Sequence, residues 1–392
     1  MLSQQPFRMV DHVEIAAPRL VDEFLVSWRQ SGFQRFGWLL GRYEEYSGVP
    51  LGIKAVVEHI YEPPQDGSID GFELLEDARG FLLLQFFASI GLQLVGMIYT
   101  DLIDDGRGTG KVVQRRSEQT FFLSSSEIVF IAHQQLLHPC KVHVDAQSKQ
   151  FSSRFVSVVI TGEADGGIGL KAYQVSDSAV ALEKANLIAA TTDPSLMMIR
   201  SRVNPDVQDA DEPAFTPPVT YTYKNEYGRQ VQKSADPFFP VEYLLVTLSE
   251  GIPLQPQPFL ASPLPFPAPQ MHPSDVAMAE YLQPVLHLSA SELAKLPLLL
   301  NGNFLSFLVE HVAGGEADRS TLAAVITNPS LLEQFFESGA LWQRIQERVA
   351  EAVVKEADDR GDAVEWECKH CTFVNRAIPV GGECEVCGLP AQ

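Results

Sequence analysis

Apolar residues follow two different periods along this chain of 392 residues, and the period indicates which elements form. Residues 92–102 (LQLVGMIYTDL) are mostly uncharged, show no helical stripe and lead into the turn-rich 104–108, which is typical of a strand buried on both faces. After Pro18 the period is helical. One helical face there collects Val21, Phe24, Leu25 and Trp28. The pattern therefore predicts amphipathic helices packed on a sheet whose central strand is 92–102.

The same reasoning predicts the other elements of the first half, which together give an α/β fold with a mixed sheet and flanking helices. Strands are predicted at 12–15, 35–43, 53–61, 141–145, 153–162, 169–175, 219–223, 229–232 and 240–246, and helices at 18–31, 78–90, 124–137 and 176–186. Helix 78–90 is apolar on nearly every side, so we expect it to be deeply packed. Ser124 and Glu127 match a capping box that opens the following helix. From 191 to 218 no period is visible.

The second half begins with a proline-rich stretch, 253–273, in which lost backbone donors exclude a helix or a central strand. It is either an extended strap laid over the domain or a proline-motif ligand for a partner, and we favour the strap. Helical periods then recur at 277–282, 293–300, 304–311, 319–327, 331–338 and 341–355. A charged tether (EADDRGD, 356–362) separates these helices from the C-terminal residues.

Composition narrows the possible partners and compartment. The net charge of −21 and pI near 4.8 argue against nucleic acid or an anionic membrane as the main partner, because both would repel the chain. No apolar segment is long enough to span a bilayer, and the N-terminal residues lack a signal-peptide core. Cysteines are few and are not spread as in a secreted disulfide scaffold. We therefore expect a reducing compartment, cytosol or nucleus.

Four of the five cysteines form two CxxC pairs near the C terminus, at Cys368, Cys371, Cys384 and Cys387. The segment is too short to bury a core, and four thiolates on one Zn²⁺ would supply roughly 10–16 kcal/mol of folding free energy. The sequence thus predicts one structural zinc ion. Two disulfides or a redox CxxC are the alternatives, and the paired spacing without a βαβ context disfavours both. His370 lies inside a knuckle, where it is more simply a surface residue.

The residues around these cysteines, W-x-C-x2-C-T-F-x-N followed by C-x2-C, resemble the NZF zinc finger, a small ubiquitin-binding module. The resemblance implies that Thr372, Phe373 and Val386 contact the hydrophobic patch of ubiquitin, while Trp366 and Asn375 shape the finger. The loop between the two knuckles is longer than in typical NZF fingers. Independently of this resemblance, an exposed Phe373 on a zinc scaffold is itself a recognition feature, because such a short segment has no core for the ring to join.

The first half resembles an MPN domain, the fold of the JAMM zinc isopeptidases, through VGMIYTDL at 95–102 and FLSSSE at 122–127. Active members place two histidines and a carboxylate on zinc, which acidifies a water molecule. In this sequence Tyr99 and Asp101 stand at the histidine positions, Leu102 replaces a proline, Lys54 stands at the glutamate position, and only Glu127 keeps a carboxylate. The ligand count predicts no functional metal site there.

The order of parts resembles the nuclear protein localisation four family. The match is carried by LGI at 51–53, YEPPQ at 61–65, LLED at 74–77, YTDL at 99–102, AYQVS at 172–176 and PVEYL at 240–244. The domains expected are an inactive MPN domain with insertions (8–246), a proline-rich strap (247–275), a helical subdomain (276–355), a linker (356–364) and an NZF-type finger (365–390).

The resemblance implies a non-catalytic adaptor that recruits polyubiquitinated proteins to the hexameric AAA+ unfoldase, the valosin-containing protein, for extraction and proteasomal degradation. It implies a ubiquitin-fusion-degradation adaptor as partner, and a location in cytoplasm and nucleus and peripherally at the endoplasmic reticulum. The family also carries an N-terminal ubiquitin-like domain and a further zinc finger, and neither is visible before His12. The chain is then either a fragment or a form without direct ATPase docking.

Two other functions remain open at this stage: a zinc isopeptidase with a rearranged site, and a scaffold subunit of another MPN-containing complex. The absent histidines are the feature that separates the first of these from the adaptor. His133, His138 and Cys140 cluster near one predicted helix end, but without an orienting group we interpret them as packing and surface residues.

Overall fold

The computed structural model describes residues 1–141, 150–200, 218–359, 366–367 and 374–375. They divide into two compact units, 1–259 and 260–392. No helix in the described part is long and apolar enough to cross a membrane. The limits that we predict for individual domains stay predictions.

The first unit is built on a sheet of eight strands. The strands of the whole first unit, in chain order, are β1 (His12–Ile15), β2 (Phe36–Tyr46), β3 (Gly52–Tyr61), β4 (Gln65–Gly67), β5 (Phe72–Leu74), β6 (Gln93–Asp101), β7 (Cys140–Lys141), β8 (Gln150–Phe151), β9 (Val156–Gly162), β10 (Ile168–Val175), β11 (Ile188–Ala190), β12 (Leu196–Ile199), β13 (Thr220–Lys224), β14 (Gln230–Ser234), β15 (Phe238–Pro240), β16 (Leu245–Thr247) and β17 (Ser249–Gly251). The large sheet has the order β16-β10-β9-β6-β2-β3-β1-β17 and contains both parallel and antiparallel pairs. The predicted mixed sheet is confirmed.

The predicted central strand is confirmed as β6, which pairs antiparallel with β2 and parallel with β9. Its middle residues are fully buried because helices cover both faces. Gly96 is required at the close approach to β9, since a Cβ there would lie 2.2 Å from the carbonyl oxygen of Val156. The strand ends with Tyr99, Thr100 and Asp101, all three of which are buried.

Four helices flank this sheet: α1 (Pro18–Ser31), α2 (Gly80–Ser89), α3 (Ser125–Leu137) and α4 (Asp177–Lys184). Helix α1 buries the predicted stripe and ends at Gly32, whose φ of 71° is left-handed. The capping box of α3 is confirmed, with Glu127 donating its backbone N–H to the Ser124 hydroxyl and accepting from the Ser124 N–H. Helix α2 buries Leu83, Phe86 and Phe87, but the expected deep packing does not extend to Phe81, which is 73% exposed.

Several short elements differ from the predictions. Residues 240–246 do not form one strand, because Val241–Leu244 make a 3₁₀ turn that buries Val241 and Leu244 before β16 begins. Strand β12 lies where no period is visible, since its four residues are too few to show one. Hairpin β4–β5 is also missed by the sequence pattern. Predicted strand 141–145 lies mostly outside the described residues.

The second unit is helical, as predicted. Its helices are α5 (Asp275–Leu282), α6 (Ala290–Leu293), α7 (Gly302–Phe307), α8 (Glu316–Thr327), α9 (Leu332–Ser338) and α10 (Ala340–Asp359). The predicted helix 304–311 changes to a π-helical turn at Leu308–Val312. In the proline-rich stretch, buried Phe266 packs on Tyr281 and Phe304, and Asn303 donates a hydrogen bond to its carbonyl. Packing of this kind favours the strap over the exposed proline ligand.

Candidate pseudo-active site at the end of the central strand

A pocket of about 730 Å³ opens where β6 ends. Its walls come from the end of β6, the start of α3, hairpin β4–β5 and the loop before α3. The lining includes Tyr99, Thr100, Asp101, Arg115, Arg116, Phe121, Ser126, Glu127 and Phe130. The structure thus brings together Tyr99, Asp101 and Glu127, three of the positions where the sequence resembles an isopeptidase site.

A buried guanidinium occupies the centre of this group. Arg116 donates from Nε to Asp101 Oδ2 at 2.8 Å and from Nη2 to Glu127 Oε1 at 2.5 Å. Its Nη1 donates to Glu127 Oε2 at 3.0 Å and to the carbonyl oxygen of Phe122 at 2.7 Å. The side chain is only 4% exposed. One guanidinium therefore bridges both carboxylates and fixes the loop against α3.

Each carboxylate is further held by its neighbours. Asp101 also accepts from Arg115 Nη1 at 2.7 Å, and Glu127 accepts from the N–H and the hydroxyl of Ser124 at 2.7 and 2.9 Å. Burial alone would raise the pKa of Glu127, but the charge and hydrogen bonds of Arg116 outweigh it and lower that pKa. Glu127 is thus an ionised, fully engaged helix cap.

Tyr99 completes the group from the strand. Its hydroxyl is buried and has no hydrogen-bond partner among the described residues. Burial raises the pKa of Tyr99 well above its ordinary value, and the nearby negative charge of Glu127 raises it further. The phenol therefore stays neutral at physiological pH in this arrangement.

These residues do not fit a catalytic zinc ion. Such a site needs three deprotonated ligands and an open position, whereas here both carboxylates are bonded to Arg116 and Tyr99 keeps its proton. The pocket lining contains neither histidine nor cysteine. Within the described residues no group of three or more histidines, cysteines and acids is placed to hold a metal.

Lys54 does not join the pocket. It lies near the start of β3, whose opposite end is paired with the first residues of β2, and its Nζ contacts Glu14 at 2.8 Å and Glu44 at 3.5 Å. The prediction that Lys54 stands at the position of the isopeptidase glutamate is therefore corrected, because Lys54 does not line this pocket. Leu102 is buried in the core on the helix α1 side of the sheet.

The residue that sequence reasoning missed is Arg116. It lies in the stretch 103–120, which the pattern indicates only as a polar loop, and the backbone pairing of Asp104 with Val112 starts the return that carries the arginine back to the strand end. The available signal was the adjacent pair Arg115 and Arg116, placed between two carboxylates that the fold brings together.

The lone histidines and the free cysteine behave as predicted. His138 stacks on Phe155 with ring centroids 4.9 Å apart, and His133 lies 3.8 Å from Glu183 at the surface. Burial raises the pKa of the Cys140 thiol, which lowers the thiolate fraction that a nucleophile needs. No nucleophilic site is assembled from these three residues.

The predicted zinc-finger residues, Cys368, Cys371, Cys384, Cys387, Thr372, Phe373 and Val386, lie outside the described residues. The finger segment contributes two described strands, β18 (Trp366–Glu367) and β19 (Val374–Asn375). They pair antiparallel with Trp366 opposite Asn375. This ribbon brackets the first CxxC pair in the sequence.

The sequence matches a known class of protein over most of its length. A family model described as "NPL4 family" matches residues 35–347, and one described as "NPL4 family, putative zinc binding region" matches residues 1–32. The chain belongs to the NPL4 family.

Curated relatives bear the name nuclear protein localization protein 4. The chain is 44% identical to the Schizosaccharomyces pombe protein over 264 residues, 46% identical to the Debaryomyces hansenii protein over 264 residues and 44% identical to the Saccharomyces cerevisiae protein over 257 residues. These alignments cover 67%, 67% and 64% of this chain and 44%, 45% and 42% of the relatives. The chain thus spans under half the length of the curated relatives it matches.

The match at residues 1–32 corrects the expectation that no part of the family's second zinc region is visible before His12. These residues nevertheless do not fit a zinc ion, since they contain no cysteine and His12 is their single histidine. The His12 ring stacks on Tyr46 at 4.9 Å, and its Nδ1 lies 2.9 Å from the Ser249 hydroxyl. Leu2 and Val10 are buried in the core of the first unit.

Proposed function

We propose that this protein is a non-catalytic, ubiquitin-binding substrate adaptor. In this role it recruits polyubiquitinated proteins to an AAA+ unfoldase, the valosin-containing protein, together with a ubiquitin-fusion-degradation adaptor, for proteasomal degradation. The single observation that carries the non-catalytic part is the buried Arg116 bonded to both Asp101 and Glu127. Family membership supports the adaptor part.

The eight-stranded sheet is, in this proposal, an inactive MPN domain. In an active zinc isopeptidase the carboxylate and two further ligands face a metal that binds water. Here a guanidinium supplies the positive charge instead, and a guanidinium holds no ionisable water. The pocket would therefore keep the shape of an isopeptidase site without its chemistry, which disfavours the isopeptidase alternative.

Ubiquitin binding is assigned to the C-terminal residues. Four thiolates from Cys368, Cys371, Cys384 and Cys387 would hold one structural zinc ion, and their donor set suits a closed Cys₄ site. Thr372, Phe373 and Val386 would contact ubiquitin. The ribbon β18–β19 supports this assignment, because a paired ribbon around the first CxxC is what a zinc knuckle needs. The finger alone binds a small surface, so selectivity for chains would come from avidity.

The proposal assigns the protein to cytoplasm and nucleus, and peripherally to the endoplasmic reticulum when substrates are extracted there. The relatives' printed name, a nuclear protein localization protein, is consistent with the nuclear part. We expect one zinc ion per chain by elemental analysis and no cleavage of polyubiquitin. Two zinc ions with chelator-sensitive cleavage would contradict the proposal.

Binding is tested on the full chain by titration with monoubiquitin and with polyubiquitin. Phe373→Ala should abolish ubiquitin binding by the finger while leaving the thermal transition of the sheet unchanged. The matched control is Phe81→Ala, which removes an equally large side chain that is 73% exposed in the first unit. Equal ubiquitin affinity for Phe373→Ala and Phe81→Ala would show that the finger assignment is wrong.

A further inference from the structure

The hairpin β13–β14 is attached to the first unit only at its base. Tyr221 is buried there, with its ring 5.1 Å from that of Tyr243, and the Tyr243 hydroxyl donates to the carbonyl oxygen of Thr222 at 2.8 Å. Leu2 donates its N–H to the carbonyl oxygen of Thr220, which covers the outer edge of β13. The outer half of the hairpin has no such contacts in the described part of the chain.

The tip of the hairpin is nevertheless well formed. The Asn225 side-chain oxygen accepts from the N–H groups of Tyr227 and Arg229 at 3.0 and 2.9 Å, and Gly228 takes the left-handed conformation that the turn requires. This turn fixes Tyr227 in an outward position, 84% exposed. A defined turn that presents an exposed aromatic ring is a surface available for binding.

Strand β14 has an open edge. It pairs with β13 on one side, and on its other side no described strand is hydrogen-bonded to it. A row of unpaired N–H and C=O groups is a template for the addition of another strand. Edge strands that avoid this carry charged side chains as protection, and the cations along this edge select against an added strand that is cationic.

Charge distinguishes the hairpin from the rest of the molecule. Residues 219–234 contain three cations, Lys224, Arg229 and Lys233, against one carboxylate, whereas the whole chain carries 29 lysines and arginines against 50 acids. All three cations are exposed. Among the described residues none of the three forms an ion pair, while Lys171, for comparison, contacts both Glu163 and Glu250. The positive charge on the hairpin is thus free to meet an anionic partner.

The register shows what that partner must present. Tyr223 lies opposite Val231 and Tyr221 opposite Lys233, so Val231 and Lys233 share one face two residues apart along β14. A strand added at this edge would place an apolar residue beside Val231 and an acidic residue beside Lys233. Gln230 and Gln232 fall on the opposite face.

We propose that the open edge of β14 binds an extended, acidic polypeptide segment of a partner protein by strand addition. Backbone hydrogen bonds hold the segment, Arg229 and Lys233 pair with its acids, and Tyr223 and Tyr227 cover its apolar side chains. A nucleic acid would also meet cations and aromatic rings, but the net charge of −21 opposes a long polyanion more strongly than a short acidic strand. The site is separate from ubiquitin binding by the finger and does not depend on it.

The test uses fluorescence anisotropy with the full chain and a labelled peptide, (Val-Thr-Glu-Thr)₃, whose valines and glutamates fall on one face of a strand. We expect saturable binding that weakens with added salt. Binding should fall at least tenfold in the Arg229→Glu/Lys233→Glu double variant. The matched control, Lys184→Glu/Lys295→Glu, changes two exposed lysines elsewhere by the same charge and should bind as the unmodified chain does.

Three comparison probes separate strand addition by an acidic peptide from binding by charge alone and from binding of nucleic acid. The lysine peptide (Val-Thr-Lys-Thr)₃ and an acidic peptide N-methylated at every residue should bind at least tenfold more weakly, because one lacks the negative charge and the other lacks the backbone donors. Tighter binding of a 12-nucleotide single strand than of the acidic peptide would overturn the proposal. Failure of the acidic peptide to bind, or an equal loss in the hairpin and control variants, would also overturn it.

Discussion

The molecule uses its cations in two opposite ways, at the strand-end pocket and on the hairpin. Arg116 is 4% exposed and shares its guanidinium between Asp101 and Glu127, so its charge is paired within the protein. Arg229 and Lys233 are exposed and form no ion pair in the described part of the chain. The difference teaches that a cation near carboxylates in a pocket can be purely structural, whereas an exposed cation without an acid nearby is available for binding. Five predictions sharpen this contrast.

The largest effect is expected for Arg116→Ala. Removing the guanidinium leaves the carboxylate of Glu127 without its cation and Asp101 paired with Arg115 alone, and breaking a buried ion pair typically costs about 3–5 kcal/mol in the free energy of unfolding. Urea unfolding followed by circular dichroism measures this loss. The neighbouring Arg115→Ala is the control, since its side chain is 40% exposed and its ion pair should contribute under about 1 kcal/mol. Equal losses in the two variants would show that Arg116 does not hold the pocket together.

Added guanidinium at low, non-denaturing concentration distinguishes a lost charge from lost packing. If Arg116 acts through its charge, the ion should bind in the cavity of Arg116→Ala and raise its melting temperature, because it restores the cation between Asp101 and Glu127. The unmodified protein should show no such increase. An Arg116→Ala variant that guanidinium only destabilises would contradict the assignment of Arg116 as a built-in cation.

His59 shows what burial does to an ionisable group without a partner. It lies on β3 against Phe87, its Nε2 has no hydrogen-bond partner among the described residues, and burial lowers the pKa of His59 to about 3. Between pH 6.5 and about 3 the unfolded chain therefore binds a proton that the folded chain does not. This contribution should lower the free energy of unfolding as pH falls, by about 3 kcal/mol at pH 4.

The measurement is the free energy of unfolding from pH 7 to pH 4 for the unmodified protein and for His59→Gln. We expect the variant to lose the part of the pH dependence due to His59, whatever its stability at pH 7. Gln85→Ala, at an exposed position of α2, changes no ionisable group and should keep the pH profile of the unmodified protein. Identical slopes for the unmodified protein and His59→Gln would mean that His59 is not excluded from protonation in the fold.

The sequence predicts the two elements that form the walls of this pocket, β6 and α3, but not the arginine at its centre. Periodicity identified β6 and the spacing of Ser124 and Glu127 identified the start of α3, because both signals are local. The position of Arg116 depends on how loop 103–120 returns to the strand end, which no local pattern encodes. The same limit explains Lys54: its strand was predicted correctly, but which end of the sheet it faces follows from the register with β2.

The hairpin offers the converse case. Its two strands were predicted from alternation and the Asn225–Gly228 turn, yet its open edge is a property of the whole topology. The prediction of a zinc finger rests on sequence alone, because residue type and spacing in a CxxC pair indicate metal binding without any tertiary information. Sequence is therefore most informative where the ligands are adjacent along the chain, and least where a single long-range contact defines the site.

A smaller effect is expected at the helix cap that supports Glu127. Ser124→Ala removes the hydroxyl that accepts the N–H of Glu127, and the loss of such a cap costs about 1 kcal/mol. Arg116 should keep its contacts to Glu127, so the variant should fold with a modestly lower melting temperature. Ser126→Ala is the control, because this exposed serine contacts the Ser124 hydroxyl at 3.0 Å but is not the capping residue. A loss as large as that of Arg116→Ala would mean that the cap, rather than the guanidinium, holds the pocket.

The smallest effect on stability is expected where the proposed effect on binding is largest. The Arg229→Glu/Lys233→Glu variant changes exposed side chains that have no ion-pair partner in the described residues, so the free energy of unfolding should change by less than about 0.5 kcal/mol. A melting temperature equal to that of the unmodified protein, together with loss of binding to the acidic peptide, would establish that these cations serve binding alone. A large destabilisation would instead mean that they stabilise the fold, and the contrast with Arg116 would disappear.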